Sequence, residues 1–169
     1  MNQKPDIRQE APGDIEGISL VVESAFQRTL EAQLVSLIRS REQSLLSLVA
    51  VLDGGIVGHV MLSPIELNPA PKGDFAAIAP LSVLPRHQGN GIGIMLMRSA
   101  IAESRDLGFA ALFLLGSPNY YPRFGFTASH IRNEYGATDA FMHLELEAMS
   151  LQSTQGKAKY VSAFQELGA

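Results

Sequence analysis

Two short stretches hold residues whose types and spacing suit chemistry. The first is Leu81-Ser82-Val83-Leu84-Pro85-Arg86-His87-Gln88-Gly89-Asn90-Gly91-Ile92-Gly93. Three alternating glycines let the backbone turn tightly and let a ligand approach bare N–H groups. If a helix starts at Ile92, its first turn adds unpaired amides and the positive end of the helix dipole, and a phosphate is the natural ligand there. Two phosphate fingerprints fail. A Walker loop needs Lys and Ser/Thr after its last glycine, whereas Ile94 and Met95 follow Gly93. The dinucleotide fingerprint needs glycine in sixth place, where counting from Gly89 gives Ile94. What remains is R-x-x-G-x-G, Arg86 to Gly91. The alternative is a strand-to-helix turn that uses its glycines for packing alone. The second stretch is Gly116-Ser117-Pro118-Asn119-Tyr120-Tyr121-Pro122-Arg123-Phe124-Gly125-Phe126, with two adjacent phenols.

The elements that must position these residues are readable around them. Phe75–Val83 is small and apolar, a strand whose pairing should stop near Pro85, which has no N–H to donate. Residues 92–107 have helical periodicity, with Ile92, Leu96 and Ala100 four apart, and Gly108 follows as a helix stop. The apolar run 110–115 suits a strand buried on both faces and parallel to the earlier one. Strand, helix and strand make one right-handed crossover, whose ligands bind beyond the carboxyl ends of the strands, where the glycine loop lies.

The rest of the chain supplies neighbours. Residues 6–9 read as a first strand. A helix opening near Pro12 and Asp14 offers Ile15, Ile18, Leu20, Val21, Val22 and Phe26 as its apolar face. A second helix, 30–39, turns Leu34, Leu37 and Ile38 inward. Residues 45–52 and 56–62 form a hairpin around Asp53-Gly54-Gly55. The Pro-rich segment 63–73 reads as a break, 141–146 as a half-exposed strand, 150–157 as a loop and 159–161 as a short last strand.

Composition bounds the function. The length, 169 residues with 46% hydrophobic, suits a single domain over 1–169 with a substantial core. A net charge of −4 without a basic block argues against nucleic acid. The absence of cysteine removes disulfides, thiol nucleophiles and thiolate metal sites. The opening residues lack an apolar signal region, and no apolar run reaches the ~18 residues of a membrane span, so the expected location is the cytoplasm. His59, His87, His130 and His143 show no metal-ligand spacing, and Ser117 lacks the flanks of a hydrolase elbow.

The Arg86–Gly91 pattern between strand and helix, together with Tyr121 four residues before Gly125-Phe126, resembles the GNAT superfamily of N-acetyltransferases. The double tyrosine, Gly116, Pro118 and the Arg123-Phe124-Gly125-Phe126 run resemble its YhbS-like group. Looser matches extend over nearly the whole chain: Ile7-Arg8, the Glu31 helix, Val57-Gly58-His59, Ser63-Pro64 and the 156–164 tail. The resemblance implies an α/β (α+β) fold. Its central sheet is mixed and mostly antiparallel, flanked by helices, with one parallel β-α-β crossover at an acetyl-CoA site. It implies transfer of an acetyl group from acetyl-CoA, as co-substrate, to an amine of a small molecule or protein. The rival reading is an acyl-CoA-binding regulatory module without turnover. Dimers are common in the superfamily, so a homodimer belongs among the expected partners.

By the same resemblance, pantetheine lies along Leu81, Ser82 and Val83, with Leu81 and Val83 main-chain groups pairing to it. The pyrophosphate rests on Gln88, Gly89, Asn90, Gly91, Ile92 and Gly93, flanked by Arg86 and His87. Asn119 is a further cofactor candidate. Tyr121 is the candidate acid for the departing thiolate, with Tyr120 as the core-facing member of the pair, an order that a one-residue offset would reverse. The base is open among Glu31, His59, Glu66 and Asp74, and a water chain would serve as well. Glu31, on the helix that walls the acceptor side in the superfamily, ranks first as a substrate contact, and His59 is a second candidate.

Overall fold

The computed structural model describes residues 3–169, so Met1 and Asn2 of the polar N-terminal stretch lie outside the described residues. The chain runs β1 (Asp6–Gln9), α1 (Ile15–Phe26), α2 (Leu30–Ser40), β2 (Leu46–Leu52), β3 (Gly55–Asn68), β4 (Phe75–Val83), α3 (Ile92–Asp106) and β5 (Ala111–Leu115). There follow β6 (Thr127–Ala128), β7 (Arg132–Asn133), β8 (Phe141–Glu145), β9 (Lys157–Tyr160) and α4 (Ser162–Leu167). The strands lie in the order β1-β2-β3-β4-β5-β8-β6, with β9 joining the far end of β3 and β7 pairing β9. Pairing is antiparallel except for β4 with β5 and a two-residue contact of β7 with β9. This is the mixed, mostly antiparallel sheet expected, and β4-α3-β5 is its crossover.

Alternation along the strands sends apolar side chains to both faces. Leu48, Ala50, Val60 and Leu62 pack on one face with Ile92, Leu96, Met97 and Ala100 of α3. Val49 and Met61 pack on the other with Ile18, Val22, Leu34 and Ile38 of α1 and α2. Gly58 of β3 sets the height of α3. A Cβ there would stand 2.9 Å from Leu96 Cδ1 and 3.2 Å from Ile92 Cγ2. The bare glycine therefore lets the N-terminal turn of α3 seat directly on the sheet.

Three expectations need correction. On α1, Ile15, Leu20 and Phe26 are exposed, and the buried stripe is Ile18, Val21 and Val22. Leu20 stands two residues from both Ile18 and Val22, on the opposite side of a 3.6-residue helix. The expected break at Ser63-Pro64 is instead the middle of β3. Leu62 is the last residue paired to β2 and Ile65 the first paired to β9, so Pro64 falls where β3 changes neighbours. The loss of its N–H breaks neither ladder. Strand β8 is not half exposed: Phe141, Met142 and His143 are buried because β5 and β6 flank it. The 150–157 loop buries Leu151 and Thr154, whose carbonyls both accept from His130 Nε2, at 3.1 and 2.9 Å.

Candidate active site

The site begins where two parallel strands part. β4 and β5 pair only at Phe75–Ala77 with Ala111–Phe113. Beyond that, β4 carries a bulge: Ala79 and Pro80 together stand opposite Met61, since Ile78 pairs with Leu62 and Leu81 with Val60. A bulge bends its strand and raises the local twist, which turns β4 away from β5. Past the bulge the ladder to β3 resumes, and Leu84 N–H donates to Val57 O at 2.9 Å. In an antiparallel ladder, alternate residues present their N–H and C=O to that partner. Ser82 therefore faces β3, while the main-chain groups of Leu81 and Val83 face the open side. Gln88 Nε2 donates to Val83 O at 3.0 Å across this edge.

After Val83 the chain makes one 3-10 turn, Pro85–His87, and then the glycine bend. Gly89 and Gly91 adopt φ of +78° and +82°, in the left-handed region that glycine enters without a Cβ penalty. Gly91 caps α3, and no side chain occupies the cap. The first-turn amides of a fifteen-residue helix thus open onto a cavity of about 390 Å³. Leu81, Val83, His87, Gln88, Gly89, Gly91, Ile92 and Gly93, all read from the sequence as cofactor contacts, border it. Arg86 does not: its Nε donates to His87 Nε2 at 3.2 Å. Asn90 holds the bend from within, donating through Nδ2 to His87 O at 3.3 Å.

A second cavity, of about 400 Å³, lies on the other side of Leu81, which borders both. The two tyrosines divide between them. Tyr120 borders the glycine cavity, and its hydroxyl would stand 3.1 Å from a Cβ placed on Gly93. Tyr121 borders the second cavity and packs against the core beside Phe126. Tyr121, rather than Tyr120 as the sequence suggested, is therefore the one that packs toward the core, and it also borders the second cavity. Gly116 makes room for Tyr121: a Cβ there would fall 2.2 Å from its ring. Burial pushes the Tyr121 phenol up to about 12, with Tyr120 adding to the effect, so the group stays protonated and can donate.

Glu31 also reaches the second cavity, at the start of α2. Its carboxylate accepts from Arg28 Nε at 3.0 Å and from Arg28 Nη2. Both carboxylate oxygens are thus engaged by the one guanidinium.

The other candidates lie elsewhere. Ser82 is buried on the α1–α2 side of the sheet with no partner for its hydroxyl among the described residues, and it borders neither cavity. Asn119 is exposed and borders neither. His59 is wholly buried in β3, its Nε2 2.8 Å from Ser47 Oγ, and desolvation lowers it to about 4. It is a core residue rather than a substrate contact. Glu66 and Asp74 border a separate cleft with Pro64 and Phe109. Among the described residues no group of His, Asp and Glu could hold a metal ion.

The sequence reading missed Arg123, which borders the glycine cavity. Its Nε donates to Tyr120 O at 2.8 Å, and its guanidinium lies 4.4 Å from the centre of the Tyr120 ring. It also missed Phe26, Arg28, Tyr135, Tyr160 and Phe164 around the second cavity. These come from separate parts of the chain, and no spacing in the sequence links them.

A family model described as the acetyltransferase (GNAT) family matches residues 8–126. The chain is 32% identical over 163 residues to the uncharacterised N-acetyltransferase YhbS of Escherichia coli K12, covering 94% of this chain and 97% of that protein. The crystal structure of Escherichia coli YhbS in complex with CoA matches the fold with a TM-score of 0.91 at 30% identity, covering 98% of this chain and 94% of that one. A GNAT family acetyltransferase from Brucella melitensis, solved with acetyl-CoA, matches at TM-score 0.82 and 36% identity, covering 95% and 97%.

Proposed function

Because the chain belongs to the GNAT family of acetyltransferases, we propose how its two cavities divide the work of an acetyl-CoA-dependent N-acetyltransferase, with 1–169 acting as one domain. The pyrophosphate of acetyl-CoA rests on the amides between Gln88 and Gly93, against the positive end of α3. Arg123 supplies the cation beside it, the part that the sequence suggested for Arg86. Pantetheine runs past Leu81 into the gap between β4 and β5 and takes the place of a strand there, pairing with the main-chain groups of Leu81 and with Val83 N–H, while Val83 O is held by Gln88 Nε2. The thioester then arrives at Leu81, between the two cavities, and the second cavity receives the amine. The observation that carries this reading is the parting of β4 from β5 after Ala77, because it leaves main-chain donors and acceptors unpaired along the path that joins the cavities.

The chemistry follows from those positions. The neutral amine nitrogen attacks the thioester carbonyl, and a C–N bond forms as the carbonyl π electrons move to oxygen. A main-chain N–H aimed at that oxygen stabilises the charge. The intermediate collapses, the C–S bond breaks, and sulfur leaves with the electron pair. Tyr121, protonated at neutral pH, donates a hydrogen bond from its O–H to the departing sulfur and stabilises the thiolate, which takes its proton from water. The proton lost by the amine leaves by water, since Glu31 is tied to Arg28 and His59 is buried elsewhere.

The test mixes the protein with acetyl-CoA and an amine panel and follows free thiol, with CoA binding measured by calorimetry. Thiol release that depends on both amine and protein supports the reading. Tight CoA binding with no amine ever consumed would instead support a non-catalytic acyl-CoA module. No CoA binding at all would overturn both.

A further inference from the structure

The second cavity has a composition that selects among amines. Phe26 at the end of α1, Tyr135, Tyr160 on β9 and Phe164 on α4 contribute aromatic rings to its wall. Tyr160 packs on both sides, with ring centres 5.7 Å from Tyr135 and 4.8 Å from Phe164, so these three form one fixed aromatic surface. Leu34 and Ile78 extend it. Glu31 is the one carboxylate side chain among the described residues on this wall, and Arg28 pairs with it.

We infer that the acceptor is a primary amine carried on an aromatic or similarly apolar body, with no second cationic centre. The inference rests on the acetyltransferase reading of the same cavity. A cavity of about 400 Å³ with these walls removes an aromatic ring from water, and aromatic pairs add to that gain through offset or edge contacts. A polyamine or a basic peptide needs a carboxylate for each buried ammonium, and an unmatched ammonium loses its hydration without compensation. Here the one carboxylate side chain is already matched by a guanidinium. The wall thus offers a second ammonium no unmatched carboxylate side chain, and it accepts a ring.

The experiment compares phenethylamine, spermidine and a lysine-containing peptide at equal concentration, with acetyl-CoA, by thiol release. Expected is a kcat/KM for phenethylamine at least about tenfold above the other two. Phe26 is partly exposed, so Phe26→Asp should fold. It places a second carboxylate on the wall and should shift the phenethylamine-to-spermidine ratio about tenfold toward spermidine. Thermal melting of the variant with and without CoA confirms that the fold and cofactor site persist. Preference for spermidine or the peptide in the wild type would overturn the inference and leave the acetyltransferase reading standing. So would an unchanged ratio in a folded Phe26→Asp protein. No thiol release with any amine, together with no CoA binding, would overturn the acetyltransferase reading and the inference with it.

Discussion

Acidification should destabilise this protein through one buried histidine. His59 stands in mid-β3, wholly buried. Ser47 Oγ donates to Glu10 Oε1 at 3.2 Å, which leaves the His59 Nε2–H to donate to Ser47 Oγ at 2.8 Å. Arg39 holds the far side of Glu10. This assignment makes Nδ1 the basic nitrogen, and Nδ1 is buried without a partner. A proton added there gains no hydrogen bond. Desolvation is the main cause that lowers the folded pKa from 6.5 to about 4; Glu10 opposes the shift and Arg39 reinforces it.

The unfolded chain therefore takes up this proton first. Its contribution is fully present above pH 6.5 and is lost as pH falls from 6.5 to about 4, where the folded state also protonates. The gap between the two values is worth roughly 3 kcal/mol at the limit, and about 2 kcal/mol between pH 7 and 4.5. That is a large part of the 5–15 kcal/mol typical of a domain. The assay is urea unfolding at pH 7.0, 5.5 and 4.5, on the wild type and on His59→Gln, which removes the titration and keeps a polar group within reach of Ser47. His143, also lowered by burial, contributes in the same direction to both proteins, so the difference between them isolates His59. The wild type should lose about 2 kcal/mol more than the variant across this range. Parallel losses would refute the reasoning.

Other perturbations test the site directly. Tyr121→Phe should lower kcat by tenfold or more while the CoA dissociation constant, by calorimetry, stays within about twofold, because the hydroxyl acts on the leaving sulfur. Gly116→Ala should reproduce that kcat loss without touching the tyrosine, since the new Cβ would overlap the Tyr121 ring and push it aside. Gly91→Ala should cost about 1–2 kcal/mol in urea unfolding and weaken CoA binding, because nothing crowds its Cβ and the whole penalty is the left-handed backbone at the head of α3.

The parts of the fold that the sequence disclosed are those settled within a few residues. Asp53 and Gly54 both take positive φ, which an Asp-Gly hairpin turn requires, and Gly89, Gly91 and Gly108 do the same around α3. The crossover follows because α3 has a helical periodicity of its own and β5 is an unbroken apolar run. The misreading of β3 is a decision made by a distant partner. Pro64 looked like a break because a proline normally ends pairing, and only the arrival of β9, more than ninety residues later in the chain, turns that position into a joint between two neighbours. Tyr120 and Tyr121 could not be told apart by spacing, because what separates them is the absence of a Cβ at Gly116 and the cation of Arg123 on the other side.

The same distinction explains why the cofactor side was legible and the acceptor side was not. A diphosphate is bound by backbone amides in a local bend, so its site leaves glycines at fixed intervals. The second cavity, proposed to take the amine, is bounded by side chains from α1, α2, β4, β9 and α4, whose order in the sequence carries no sign that they meet. Glu31 could be named because its helix was, but its meaning changed once Arg28 was seen beside it: a carboxylate proposed for contact with the substrate proved to be half of an ion pair. On the proposed reading, the identity of the acceptor is encoded in packing rather than in motif. The aromatic wall formed by Tyr135, Tyr160 and Phe164, assembled late in the chain, is where substrate choice in this protein should be altered first.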